Sequence, residues 1–278
     1  MEHVTAGTHK IEGSSTAGLG TSLRVVDLKV VLDAGVMHRS FAREENIFLS
    51  HCHMDHVGSL LGLIGARDLH GFETVNVYVP AAVTQYVSAI VGNARALGQS
   101  KVRVNVHSMG DRTIKHLSSR VSVKSFSTNH GVPSNGYIFF STKQKLKPEF
   151  IGLDGNAIKT LKGNGVEITR PVQHTELVYM TDTMFGAFKT APPEVLTANT
   201  LIMECTFLDD SISIESAHHH GHIHIDEIVA NAELFEHKHI VLMHFSARYS
   251  RDQIREIVDE KLPRELRKRV QLILPEHV

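Results

Sequence analysis

The stretch LSHCHMDHVG, Leu49 to Gly58, decides how the rest of the chain is read. His51, His53, Asp55 and His56 fall within six residues, between the apolar run NIFLS (46–50) and a helix-like pattern. A short buried strand followed by a helix puts all four on the turn between them. Residues two apart on an extended chain point the same way, so His51 and His53 share a side. Asp55 and His56 follow at the turn and can face a second centre. Three imidazoles and a carboxylate suit zinc, which takes nitrogen and oxygen donors at about 2.0–2.2 Å. The plain alternative is a polar loop with scattered histidines; the spacing, a whole motif, argues against it.

Two cations need more than four donors. Sites in α/β proteins gather at the C-terminal ends of strands, and three positions qualify. His130 follows VSVKSFSTN, Asp182 follows LVYMT and His244 follows IVLM. Singly, each has an ordinary reading: a turn residue, a helix cap, a buried hydrogen-bonded histidine. As an ordered set they favour one site.

Around these positions, strand-like and helix-like runs alternate. LRVVDLKVVLDAG reads as two strands, or one bent one, ending in a glycine turn. After NIFLS, Val57, Leu60, Leu61 and Ile64 follow helical spacing, with Gly58, Gly62 and Gly65 explained by close packing. VNVYVP is a strand; Pro80 then opens a helix with Val83, Tyr86, Val87, Ile90 and Val91 on one face, stopped by Gly98. KVRVNVHSM and RVSVKSFS alternate like half-buried strands, and GYIFFST is another. ELVYM, TLIMECTF and KHIVLMHF are nearly continuous apolar runs, as central strands are. Ser250 and Gln253 form a capping-box pattern before a C-terminal helix. Residues 143–165, rich in Lys, Gly and Asn, read as an insertion within one domain.

The 278 residues are 42% hydrophobic and 21% charged, a globular composition. A net charge of −1 gives no global basic field for nucleic acid, so such binding must use local patches. Histidine is as frequent as glycine, at 20 each, and metal chemistry would use some of that excess. Two cysteines, Cys52 and Cys205, make no disulfide framework and suit a reducing compartment. The N-terminus has no apolar core of a signal peptide and no Arg-rich transit pattern, and the most apolar window is about half a membrane span. A cytoplasmic protein is expected, with the nucleus as the alternative.

The motifs SHCHMDH, STNHGVPSNGY, YMTDTM, MECTFLDD, GHIHIDEI and LMHFSARY occur in the order and spacing of the metallo-β-lactamase superfamily. Within it the chain resembles the short form of tRNase Z, the endonuclease that removes 3′ trailers from precursor tRNA, and the plant-type short form in particular. The resemblance runs from about Gly35 to Tyr249. It implies an α/β (α+β) αββα sandwich of four layers, spanning 1–278, with 143–170 a short substrate-binding insertion. It implies two zinc ions, with manganese as the alternative metal: one on His51, His53 and His130, the other on Asp55, His56 and His244, with Asp182 bridging. Glu204 and His222 match the family's proton-relay pair, and Arg248 the arginine near the substrate phosphates. A homodimer is implied as well.

Those residues fit phosphodiester cleavage. Asp55 can ligate and orient the nucleophile, and His222, held by Glu204, can protonate the leaving 3′ oxygen. A 3′-hydroxyl on the tRNA and a 5′-phosphate on the trailer are expected. Lys143, Lys145 and Lys147 alternate, so on a strand they share a face suited to phosphates. Three departures stand out: Met203 where bacterial members carry His, Thr181 where Gly precedes the bridging Asp, and no recognisable long tRNA-gripping arm. The alternative function keeps the fold and hydrolyses a small thioester or phosphodiester; a third is a metal-sequestering module, which would not need Asp55 and Asp182. In the tract AHHHGHIHID (217–226), only His222 receives a role. His218, His219 and His220 are expected in a solvated loop, and His224 as a helix N-cap with Glu227.

Overall fold

The computed structural model describes residues 1–276. Its first sheet runs in chain order: β1 (Glu2–Ala6), β2 (His9–Thr16), β3 (Gly20–Val25), β4 (Val30–Leu32), β5 (Asn46–Phe48), β6 (Thr74–Pro80) and β7 (Arg103–Met109). The second holds β8 (Ile114–His116), β9 (Val121–Ser127), β10 (Asn135–Leu146), β11 (Thr169–Met180), β12 (Thr200–Glu204), β13 (His239–Met243) and β14 (Val270–Leu272), also in order. Each sheet pairs antiparallel through its first four strands and parallel through the rest. The two halves thus repeat one topology, which no repetition of sequence announces.

Three apolar layers define a four-layer αββα sandwich. Leu23, Phe48, Tyr137, Tyr179 and Val241 fill the space between the sheets. Ile47, Val77, Leu60, Leu63 and Val87 join the first sheet to the helices α1 (Met54–Val57), α2 (Leu60–Leu69) and α3 (Thr84–Gly98). Leu201, Met203, Phe188, Val195, Ile228, Ile254 and Leu266 join the second sheet to α5 (Ala187–Thr190), α6 (Glu194–Thr197), α8 (Ile225–Ala230), α9 (Arg251–Lys261) and α10 (Arg264–Arg267). Helix α4 (Gly155–Gly163) sits between β10 and β11, and α7 (Ile214–His219) between β12 and α8. β12 is buried along its whole length, because a parallel strand between helices and a second sheet needs apolar side chains on both faces.

Several local expectations are corrected. The helix after His53 breaks into α1 and α2, and its buried face is Leu60, Leu63, Ile64 and Arg67, with Leu61 exposed. Of its glycines only Gly58 meets a close neighbour, the Met54 carbonyl; Gly65 faces open space. On α3, Val87 and Val91 are buried, while Tyr86 and Ile90 are exposed. His218 and His219 belong to α7, and His218 Nε2 meets Glu227 Oε1 at 2.6 Å, so this stretch is helix and not a loose loop. The caps at Ser250 and His224 form as read, each a reciprocal capping box. Both cysteines are free. Among the described residues, no helix is long and apolar enough to cross a membrane.

Candidate active site

Every expected ligand lies just past a strand on one edge of the sandwich. His51 and His53 follow β5, His130 follows β9, Asp182 follows β11 and His244 follows β13. Asp182 and His244 turn out of their strands with φ of 31° and 60°, a left-handed backbone that side chains other than glycine seldom adopt. Such strain marks positions held by their surroundings for a purpose other than stability.

The donor atoms form two groups that share Asp182. In the first, His53 Nδ1 lies 3.0 Å from His51 Nε2 and 3.3 Å from His130 Nε2, with Asp182 Oδ2 3.8 Å from His51 and 4.0 Å from His130. In the second, His56 Nε2, His244 Nε2 and Asp182 Oδ1 stand 3.3–3.4 Å apart, and Asp55 Oδ2 is 3.6 Å from His56 and 3.9 Å from His244. A tetrahedron with arms of about 2.0–2.1 Å has edges of about 3.3 Å, so each group has the dimensions of a divalent cation's ligand set.

The far ring nitrogens supply an independent test. Asp33 accepts hydrogen bonds from Ser50 N, Ser50 Oγ and Tyr179 OH and faces His56 Nδ1 at 2.8 Å, so His56 carries its proton on Nδ1. Ser50 Oγ has given its hydrogen to Asp33 and accepts from His51 Nδ1 at 3.0 Å. His130 Nδ1 donates to the Gly221 carbonyl at 3.1 Å. Thr206 Oγ1 donates to Glu204 Oε2 at 2.6 Å and so accepts from His244 Nδ1 at 3.1 Å. Four Nε2 lone pairs are therefore aimed into one buried space, which is tolerable only around positive charge. The same demand appears in the titration of the cluster. Burial disfavours charge on His56, yet Asp182 and Asp33 hold its pKa well above the ordinary value. Burial and the neighbouring His56 together push His51 down to about 2, which leaves it neutral, as a ligand must be. The residues fit a divalent cation.

Beside this cluster, Glu204 ends β12 fully buried. A buried carboxylate needs partners. Oε1 accepts from Thr183 N at 2.6 Å and meets His222 Nδ1 at 3.1 Å; Oε2 accepts from Thr206 Oγ1 and from Ile223 N at 3.1 Å. The His222 ring centroid is 5.3 Å from that of His244 and 5.4 Å from that of His130. Burial works against its charge, but the Glu204 carboxylate outweighs it and raises His222 to about 9. Glu204 thereby favours a charged His222 ring beside the donor cluster, where His222 also forms a donor group with Asp182 and His244.

Arg248 is exposed beside this pair, 5.6 Å over the Phe207 ring and donating to Ser211 Oγ at 3.2 Å; Phe207 in turn is 6.1 Å from the His222 ring. The lysines are elsewhere. β10 starts near the site, where Asn135 N donates to Ser50 O, and Lys143 lies eight residues along it, about 27 Å at ~3.4 Å per residue. Lys143 and Lys145 are on β10, but Lys147 lies beyond its end; Lys143 pairs with Glu176 and Lys147 with Glu167.

Asp33, Ser50, Thr183 and Thr206 hold the site and went unread in the sequence. Asp33 was within reach: it follows a strand-like run, as His130, Asp182 and His244 do. Gly35 belongs with it, because a Cβ there would fall 1.7 Å from the Asp55 carbonyl oxygen. Two departures have local explanations. Thr181 donates to Asp182 Oδ1 at 2.7 Å, and Met203 is buried under the helices of the second sheet, away from the cluster.

An αββα sandwich with two half-sites of His and Asp on one edge defines a metallo-hydrolase class, and residues 34–245 match the family described as the beta-lactamase superfamily domain. The chain is 39% identical over 258 residues to tRNase Z TRZ1 of Arabidopsis thaliana, covering 92% of this chain and 91% of that protein. It is 34% identical to the chloroplastic tRNase Z TRZ2 of the same plant, over 90% of this chain and 71% of the other. The crystal structure of the short form of human tRNase Z superposes with a TM-score of 0.60 at 17% identity, over 95% and 96% of the two chains. This chain belongs to the tRNase Z family of the beta-lactamase superfamily.

Proposed function

We propose that the chain is a metal-dependent endoribonuclease that removes 3′ trailers from precursor tRNA. Residues 1–278 act as one domain of metallo-β-lactamase type, with 143–170 as the insertion. His51, His53 and His130 would hold one ion and Asp55, His56 and His244 the other, with Asp182 within reach of both sets; zinc is the proposed metal, with manganese as the alternative. The observation that carries this reading is the Glu204–His222 pair at the rim of the cluster. A hydrolase of activated thioesters has no need of a general acid there, whereas an alkoxide leaving group does.

When bound, the divalent cations lower the pKa of a water toward ~7 and offset charge building on the phosphate. Asp55, fixed by the Gly18 N–H at 3.0 Å, accepts a hydrogen bond from the attacking water and orients it. The oxygen of that water, its proton already lost to solvent, bonds to phosphorus as the bond to the ribose 3′ oxygen breaks. His222 Nε2 gives that oxygen its proton, while Glu204 keeps the ring charged and aimed. The tRNA leaves with a 3′-hydroxyl and the trailer with a 5′-phosphate. Arg248 fits an adjacent phosphate, and Lys143, Lys145 and Lys147 fit phosphates remote from the cut.

Incubation with a precursor tRNA bearing a 3′ trailer, with and without chelator, tests this. Cleavage at the trailer junction that stops on chelation is expected; no cut, or a cut indifferent to chelator, would refute it. His222→Ala should lower kcat by roughly 10²–10⁴ with bound metal unchanged. A second copy is the proposed partner besides tRNA, supported by the exposed Leu61, Leu69, Tyr86, Ile90 and Leu97 on α2 and α3. Light scattering at dimer mass would agree with it.

A further inference from the structure

We infer that Gly221 is a positioning residue for the cation cluster: its carbonyl and its missing Cβ fix the tautomer and place of His130, tying that ligand to the segment that carries His222. The inference rests on the reading of His130 as a ligand.

Gly221 first does an ordinary job. Helix α7 ends there in a Schellman motif: Gly221 N donates to His218 O at 2.9 Å and His222 N to Ala217 O at 3.0 Å. That motif requires the left-handed backbone seen at Gly221, with φ of +78°. A cap of this kind needs nothing else from its glycine. Gly71, at the end of α2, shows the bare case. Its N–H donates to Asp68 O, Phe72 N donates to Arg67 O, φ is +74°, and a Cβ there would meet nothing within 4 Å.

Gly221 differs in what lies beyond the cap. Its carbonyl accepts the His130 Nδ1 hydrogen at 3.1 Å. A carbonyl only accepts, so His130 must carry its proton on Nδ1 and keep Nε2 bare toward His53. A Cβ on Gly221 would stand 2.6 Å from His130 Nδ1 and 3.2 Å from its Cε1, well inside contact distance. The ring would have to move, and with it the nitrogen that closes the first half-site. The next residue, His222, reaches Glu204. One turn of chain thus sets a ligand through its backbone and the acid through its side chain.

The matched pair of caps makes the test. Gly221→Ala and Gly71→Ala place the same methyl on the same left-handed backbone and share that cost, about 2–4 °C in Tm per kcal/mol lost in a chain of this size, to which Gly221→Ala adds the displacement of the His130 ring. Their zinc retention should differ. In competition with a chromophoric chelator, Gly221→Ala is expected to bind at least tenfold more weakly at one of its sites, and Gly71→Ala to match wild type. If Gly221→Ala does not fold, Gly221→Asn replaces it, since Asn tolerates the left-handed backbone yet carries the Cβ. Retention by the Gly221 variant equal to that of Gly71→Ala would overturn the inference. His130→Ala is the reference: full metal retention there would overturn the ligand reading and the inference with it. Metal loss in His130→Ala without loss in the Gly221 variant defeats the inference alone.

Discussion

Asp33 and His56, both fully buried, are joined by a 2.8 Å hydrogen bond between Oδ2 and Nδ1. The bond turns Nε2 of His56 toward Asp182 and fixes its tautomer. Asp33→Asn keeps the shape but removes the acceptor charge. Loss of such an outer partner commonly costs 10–100-fold in metal affinity, so chelator titration should show a drop of about that size. Activity at saturating metal should recover in part; unchanged affinity would remove Asp33 from the site's support.

Thr206 stands between the two functions of the site. Its hydroxyl gives a hydrogen to Glu204 and takes one from His244. Thr206→Val takes one of two donors from Glu204 Oε2 and leaves the buried His244 Nδ1–H without an acceptor, at a cost of about 1–3 kcal/mol. The expected result is a lower Tm, a lower kcat and a KM for precursor tRNA close to wild type. Thr206→Ser should restore Tm and kcat. If serine fails as valine does, the methyl group and not the hydroxyl is what matters.

His222 must be protonated to act, so activity holds below its pKa and falls as pH rises through it. Burial lowers that pKa, the Glu204 charge raises it, and the balance is near 9; bound cations bring it lower. Glu204→Gln removes the raising partner. The basic limb of the kcat profile should then move to lower pH, with kcat at neutral pH reduced. A limb that stays in place would assign the ionisation to another group.

Glu176 links β10, β11 and the approach to β12. Burial would raise its pKa, but hydrogen bonds from Ser141, Lys143 and Asn199 lower it on balance. A depressed carboxylate stabilises the fold above its unfolded value, here 4.5, and that contribution disappears as pH falls through the folded value. Glu176→Gln should therefore cost on the order of 1 kcal/mol at pH 7. Urea unfolding at pH 7 and below pH 4 would show the gap closing. A gap that persists in acid would point to packing.

The candidate ligands were legible as a group because metal chemistry restricts residue type, and strands announce their ends. His51, His53, Asp55, His56, His130, Asp182 and His244 meet in space for that reason. The sheets were readable from apolar runs such as TLIMECTF, which only a strand covered on both faces requires. Helix faces were less so: Tyr86 and Ile90 have the right spacing but lie outside the packed stripe. The supports escaped notice because Ser50, Thr183 and Thr206 are common residues whose meaning depends on a partner far along the chain. The Lys143–Glu176 pairing was invisible for the same reason, since only the register of β10 on β11 brings the two near.

The ligands divide between the two sheets. His51, His53, Asp55 and His56 come from the first, and His130, Asp182 and His244 from the second, so each half-site draws on both. A nascent chain would complete the first donor set only once Asp182, and the second only once His244, has left the ribosome and the two halves have closed. Cations bound there would staple one half to the other, and binding to the closed form alone would raise its stability by mass action. On the proposed metal reading, metal supply would set how long the finished protein survives as well as how fast it cuts, and metal starvation should show first as shortened lifetime of the protein.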